Sequence, residues 1–369
     1  MMMMIDPTSL AWTVVLLTSI SITTYVFNLY IKIQHIFKNR HQCSESKVSV
    51  RDLYIYPIKS CAEIQVNSAK VTPIGFEHDR IMQVVSRVEM KESPTEPDWG
   101  VCTPREMKNE KLFHVQPTMI IDESSNTTAL ELSSKYLEKS FRLKLNQALS
   151  SFGSLVTLPT YCKTMGWPVS LEDCGFHVSK WLEEATGIEG CRLVGIGKHH
   201  SRLMKVNPKQ GDEFPQNTRP RVSLADEAPF LLTTRSSLAD LNKRLGKRNQ
   251  VDMRRFRPNI VIDGFQPWEE DSFKRIRIGA VEFHVWQRCG RCTMTTIDRD
   301  SLERCGEPLK TLSTFRERDN GQRNFGMHLI PVRPWELKGE RIFVGDEVEI
   351  LEYDEERRAE WMRLFGKSS

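Results

Sequence analysis

Three scarcities frame this chain of 369 residues. Cysteine is sparse: nine residues, an odd number, with a single closely spaced pair, is far below the density of a disulfide scaffold. Excess charge of one sign is nearly absent. The 52 basic and 48 acidic residues leave a net +4 and are interspersed, which argues against a nucleic-acid-binding surface. Long apolar runs are few. A mean hydropathy of −0.42 excludes a polytopic membrane protein and leaves room for one anchor. No flavin or nicotinamide fingerprint is present, since Gly195-Ile196-Gly197 is a lone G-x-G. No repeat of solenoid period is found. With 39% hydrophobic and 27% charged residues the chain has material for a packed core. At roughly 100–200 residues per domain its length suits about two domains.

The apolar material that does run together lies at the N-terminus. From Pro7 to Ile31 no residue is charged. The stretch Leu10–Ile31 is long enough, as a helix, to span a hydrocarbon layer of about 30 Å. Trp12, Tyr25 and Tyr30 lie toward its ends, where amphipathic rings favour the interface. Asp6 precedes it, while Lys32, Lys38, Arg40 and Lys47 follow, so the bulk of the chain is expected on the cytosolic side. Basic residues after the span, and no small-x-small site closing it, argue against a cleaved signal. Residues 1–47 thus read as one transmembrane anchor and a basic linker. The same orientation keeps the sequon Asn126-Thr127-Thr128 from glycosylation.

Past residue 47 the texture is strand-like. Val48–Tyr56, Ile64–Val71, Ile81–Val88, Lys111–Ile121 and Thr127–Ser133 have strand composition, and Glu89–Gly100 reads as a loop. A helix is expected from Ser170, with Ser170 and Asp173 as a capping box, Leu171, Val178, Trp181, Leu182 and Ala185 on one face, and Gly187 as the stop. A second runs from about Ser236 to Leu245. Phe256–Ile262, Arg275–Ile278, Val281–Trp286 and Arg341–Leu351 are further strands, and the tail after residue 352 reads as a charged, solvated helix. Strands and helices alternate too irregularly for a doubly wound sheet, so the class is α+β, strand-rich. The expected organisation is 1–47, 48–169, 170–352 and 353–369.

The most specific local feature is Cys289-Gly290-Arg291-Cys292, directly after a strand. Half of a zinc site would need a second pair, and no other Cys-x-x-Cys exists. A thioredoxin-type pair would open a helix, whereas Thr293-Met294-Thr295-Thr296-Ile297 is largely β-branched. One cysteine ligating a metal while the other is structural is the third reading. A second cluster is cationic. Lys59 and Ser60 follow a strand, Arg80 precedes one, and Arg257 with Asn259 opens one. Such groups at strand ends suit a phosphate or carboxylate. Asp226, before the apolar run from Phe230, reads on its own as a turn or capping residue.

Eight strings occur in order: YPIKSC (Tyr56–Cys61), EHDR (Glu77–Arg80), DCG (Asp173–Gly175), LADEAPF (Leu224–Phe230), FRPNIVI (Phe256–Ile262), CGRCTMTTID (Cys289–Asp298), EPLKTL (Glu307–Leu312) and VGDEV (Val344–Val348). Together they resemble the MOSC superfamily, which includes the C-terminal part of molybdenum cofactor sulfurases, and above all its mitochondrial amidoxime reducing components. The resemblance covers roughly residues 47–353 together with the anchor before them. It implies an N-terminal β-barrel module packed on a MOSC β-barrel module, with a molybdenum–pterin cofactor (Mo-molybdopterin) between them. It implies Cys292 as the metal ligand, Lys59, Ser60, Arg80, Arg257 and Asn259 as cofactor-binding residues, and Asp226 beside the metal as a catalytic residue relaying protons or positioning substrate. Glu227 and Ala228 depart from the vertebrate pattern, where small hydroxyl residues are usual, and the 89–100 loop is longer than in the family.

The implied activity is reduction of N-hydroxylated compounds: amidoximes, N-hydroxyguanidines, hydroxamic acids, and also nitrite. Electrons would come from cytochrome b5 and its NADH-dependent reductase. The implied location is the mitochondrial outer membrane, the catalytic part facing the cytosol; an endoplasmic reticulum location suits the same anchor. A non-catalytic carrier of the cofactor or of sulfur is the alternative.

Overall fold

Alternating apolar and polar residues favour half-buried strands, and strands dominate the computed structural model. It describes residues 48–88, 98–122, 127–145, 155–158, 169–197, 200–204, 220–317 and 321–366. The expected anchor and linker, Asn126 of the sequon, and residues 89–97 of the long loop lie outside the described residues. Among the described residues no helix is long and apolar enough to cross a membrane.

The largest sheet has eight strands, in the order Val348–Tyr353, Phe273–Ile278, Val281–Arg291, Arg323–Pro331, Phe230–Thr234, Ile260–Asp263, Ser49–Ile55 and Ile64–Val66. One face buries Val50, Leu53, Ile262, Phe283 and Leu329 in a common core. A second sheet joins Leu155–Leu158, Val169–Asp173, Arg192–Ile196, Met82–Val88 and Ile58–Lys59 in that order, with Asp98–Val101 beside Met82–Val88. Its core includes Ile58, Val84, Leu182 and Leu193. Three-stranded sheets add Val115–Asp122, Thr127–Ser134 and Leu137–Lys144, and separately Ser68–Thr72, Gly75–Phe76 and Arg341–Phe343.

One pairing sets the site. Ser49–Ile55, early in the chain, runs antiparallel to Ile260–Asp263, with Leu53 opposite Ile260. Tyr54 N donates to Asn259 O at 2.9 Å. The turn following the first strand therefore meets the segment preceding Ile260. Ile58–Lys59 then pairs parallel with Met82–Gln83 in the second sheet, so the chain passes from one core to the other at this point.

Several expected elements are corrected. The helix does not begin at Ser170: Val169–Asp173 is a strand, and the helix spans Phe176–Thr186. Asp173 acts outside a capping box; it accepts from Gly175 N at 2.7 Å and pairs with Arg192 on the neighbouring strand. The boundary drawn between 169 and 170 thus falls within a strand whose sheet includes Met82–Val88. The run 64–71 divides into Ile64–Val66 and Ser68–Thr72, which lie in different sheets, and 341–351 divides into Arg341–Phe343 and Val348–Tyr353 around Gly345. The strand expected to end at Trp286 continues to Arg291. The tail helix Glu355–Leu364 has no buried residue, yet it is docked: Trp361 Nε1 donates to Pro267 O at 3.0 Å and Arg288 pairs with Glu360.

Candidate functional site

The seven residues singled out in the sequence, Lys59, Ser60, Arg80, Asp226, Arg257, Asn259 and Cys292, all line one cavity of about 490 Å³. Three of them hold left-handed backbone: Ser60 at φ 74°, Arg80 at 47° and Arg257 at 53°. Such conformations cost non-glycine residues about 1–3 kcal/mol each and gather where a site over-determines them. The restraints are visible. Tyr56 N donates to Asp79 Oδ1 at 2.8 Å, and Arg80 N donates to Tyr56 O at 2.7 Å.

Arg80 and Arg257 flank the Tyr56 ring at 4.3 and 4.2 Å from its centroid. Arg80 Nη1 donates to Asp79 Oδ2 at 2.6 Å and to Asn259 Oδ1 at 3.1 Å, and its Nη2 donates to Arg257 O at 3.0 Å. Arg257 Nη1 donates to Cys61 O at 2.7 Å. Burial, and then repulsion from Arg299 and Arg80, lowers Arg257 to about 10. The cavity also receives Lys59, Arg105, Arg255 and Arg291, against the carboxylates of Asp226 and Glu227. Six lysine and arginine side chains thus converge with two carboxylates to answer them. Arg291 gives Nη1 to the Cys289 sulfur at 2.8 Å and Nη2 to Phe256 O at 2.6 Å, leaving a buried Nε without a partner. A buried, unanswered cationic donor fits an anionic ligand.

Asp226 proves to be an ion-pair acceptor. Its carboxylate meets Lys59 Nζ at 2.5 Å and Arg105 Nη2 at 3.0 Å. Desolvation opposes its charge, although 40% of the side chain faces the cavity; Lys59 and Arg105 outweigh this and hold the carboxyl well below the usual range. It stays ionised at neutral pH, which leaves the expected proton relay without a proton to give. Arg202 fastens the loop from behind, donating to Ser223 O at 2.6 Å and Ala225 O at 2.8 Å. Asn259 is likewise committed, accepting from Leu231 N at 3.2 Å and donating to Tyr54 O at 3.3 Å. It sets Arg80 more than it offers a free amide.

The cysteines differ in setting. The alternation that sends Val281, Phe283 and Val285 into the core is interrupted by register shifts between Val285 and Gly290. Bulges commonly re-aim side chains beside sites, and Cys289 lines the cavity. Cys292 follows the strand end, partly exposed, and precedes a four-residue 3₁₀ turn, Thr293–Thr296, whose Thr295 N donates to Cys292 O at 3.1 Å. It does not open an α-helix, as a thioredoxin-type pair would.

Two family models match the chain: residues 47–189 match the MOSC N-terminal beta barrel domain, and residues 219–349 match the MOSC domain. The chain belongs to the MOSC family. It is 31% identical over 295 residues to a molybdenum cofactor sulfurase of Danio rerio, covering 77% of this chain and 32% of that one. It is 29% identical over 318 residues to mitochondrial amidoxime-reducing component 1 of Homo sapiens, covering 82% and 83%. It is 29% identical over 285 residues to mitochondrial amidoxime reducing component 2 of Bos taurus, covering 75% and 74%. This MOSC chain therefore spans about a third of the sulfurase and most of each amidoxime reducing component.

Sequence reasoning missed several residues of the MOSC cavity. Arg291 sits inside a quoted motif and Arg255 directly precedes one, so both were open to the same cationic argument. Glu227 was noted only as a departure from the family pattern, and Arg105 and His328 had no local signal. Glu227 accepts from Gln287 Nε2 at 3.0 Å and stands 3.1 Å from His328 Nε2.

Proposed function

We propose that this chain is a membrane-anchored molybdenum-cofactor oxidoreductase that reduces N-hydroxylated compounds, amidoximes foremost, with electrons from cytochrome b5 and its NADH-dependent reductase. The observation that carries the reading is the cavity in which the Cys292 thiol shares a wall with six lysine and arginine side chains. Relatives named as amidoxime reducing components, alike over most of both chains, support it.

In this reading Cys292 ligates molybdenum as a thiolate. Arg80 and Arg257 hold the cofactor's phosphate, with Ser60 beside them, and the free Arg291 Nε supplies a further donor. Lys59 and Arg105 are positioned by Asp226, and Arg80 by Asn259. When bound, the cofactor would supply two-electron reduction beside the Cys292 thiol. The protein orients the N–O bond there and brings the protons. The anchor in residues 7–31 confines the chain to the mitochondrial outer membrane, facing the cytosol, where a shared surface raises the local concentration of its electron donors.

Full-length protein purified in detergent is the material for the test. Elemental analysis should find molybdenum near one per chain, and benzamidoxime should be reduced when reductant is supplied. Molybdenum without turnover would instead indicate a carrier of the cofactor. Absence of both would overturn the reading, and imaging a tagged chain against organelle markers tests its location.

A further inference from the structure

Reduction of an N-hydroxy group consumes two electrons and two protons: R–NH–OH + 2e⁻ + 2H⁺ gives R–NH₂ + H₂O. On the proposed reading the electrons come from the heme-protein donor through the cofactor. The protons must cross the protein. Asp226 is held as an anion by two cations. Lys59 is bound to it, and guanidinium groups do not give up protons in proteins.

Among the described residues that line the cavity there is one imidazole, that of His328. His328 projects from the strand Arg323–Pro331, its side chain 8% exposed. Its Nε2 is 3.1 Å from Glu227 Oε2, within ion-pair reach though not aligned as a hydrogen bond, and neither ring nitrogen has an aligned partner. Glu227 is different in exposure: 44% of its side chain is accessible, and Gln287 steadies its Oε2. The pair therefore links an accessible carboxylate to an imidazole in the wall that Cys292 shares.

Resting on the proposed reading, we infer that His328 is the proton donor to the departing oxygen, kept charged by Glu227 and re-protonated from solvent beside it. As the two electrons arrive, the N–O bond breaks and the imidazolium N–H proton passes to the leaving hydroxide, forming water, while the nitrogen takes the second proton from solvent. The neutral imidazole then takes a proton back from solvent, drawn by the charge of the Glu227 carboxylate. The charged or titratable groups acting on His328 are Cys289 on the adjacent strand and Glu227; Arg291 acts in turn on both of these, and Asp226 on Glu227. Burial disfavours the imidazolium, but the Cys289 and Glu227 charges outweigh it and keep it protonated at neutral pH. General acids of this kind are worth about 10²–10⁴-fold in rate.

The test uses cofactor-loaded, full-length protein reducing benzamidoxime with reduced methyl viologen. His328→Gln should lower kcat about 100-fold at pH 7, with KM within about twofold and the molybdenum content of wild type. It should also abolish the alkaline fall of the wild-type kcat profile. Imidazole in solution should restore part of the rate to His328→Ala. Independently of turnover, histidine NMR should show His328 protonated through pH 7 and titrating at lower pH in Glu227→Gln, a near-isosteric variant. A wild-type kcat in His328→Gln, or loss of molybdenum from it, overturns the inference and leaves the reductase reading intact. Loaded wild type that fails to reduce benzamidoxime overturns both.

Discussion

At the scale of single residues the site is decided by partners. Cys292 and Cys289 are three positions apart, yet Cys289 lies against Arg291 and Cys292 opens a turn. Burial raises the Cys289 thiol, while Arg291 and then His328 outweigh it and lower it overall. Cys292→Ser is expected to fold normally but to lose molybdenum and amidoxime turnover together, with Cys289→Ser milder. Equal molybdenum content in Cys292→Ser and wild type would contradict the ligand role. Asp226 makes the same point. Its residue type allowed a proton relay, but Lys59, 167 positions away, and Arg105, 121 away, fix it as an anion. Nothing in the local string LADEAPF announces either partner.

Elements add constraints that residues alone do not carry. Gly326 lies in the strand Arg323–Pro331 at φ 80°, and a Cβ there would stand 2.6 Å from Leu232 O on the paired strand. The obstacle is backbone and cannot step aside. Gly326→Ala should destabilise by at least about 1–3 kcal/mol, read from the urea midpoint, with the pocket residue His328 displaced as well. A second expectation concerns Glu270, fully buried in a 3₁₀ turn and accepting from Ser237 Oγ at 2.8 Å. Burial, and then the neighbouring Asp271, raise its carboxyl. Its folded value lies above the unfolded one near 4.3, so its stabilising contribution is complete below that pH and is lost as pH rises through the raised value. Glu270→Gln should therefore gain on wild type between pH 5 and pH 8 in thermal melts. An unchanged difference across that range would refute the assignment.

For the molecule as a whole, the cavity joins segments from one end of the folded chain to the other, from Lys59 to His328. Its surplus of positive charge gives a ligand-removal test. Cofactor-free protein should be stabilised by inorganic pyrophosphate, by about 2.7 kcal/mol at 100 times the dissociation constant, and Arg257→Met should remove most of the shift. No rise in Tm with pyrophosphate would tell against an anion site. The strand-rich class and most strand cores were legible from alternation, because that signal is local, whereas the seven cavity residues were brought together by what the family resemblance implies. The helix start was misread because Ser170 and Asp173 imitate a cap while their segment is claimed by neighbouring strands, a preference no local window contains. Sequence by itself determined which side chains were available: a thiol after a strand, cations at strand ends, an acid before an apolar run. Only the tertiary structure decided their charge and company, because electrostatic energy depends on distance and burial through space, and here both are set by pairings more than a hundred residues apart.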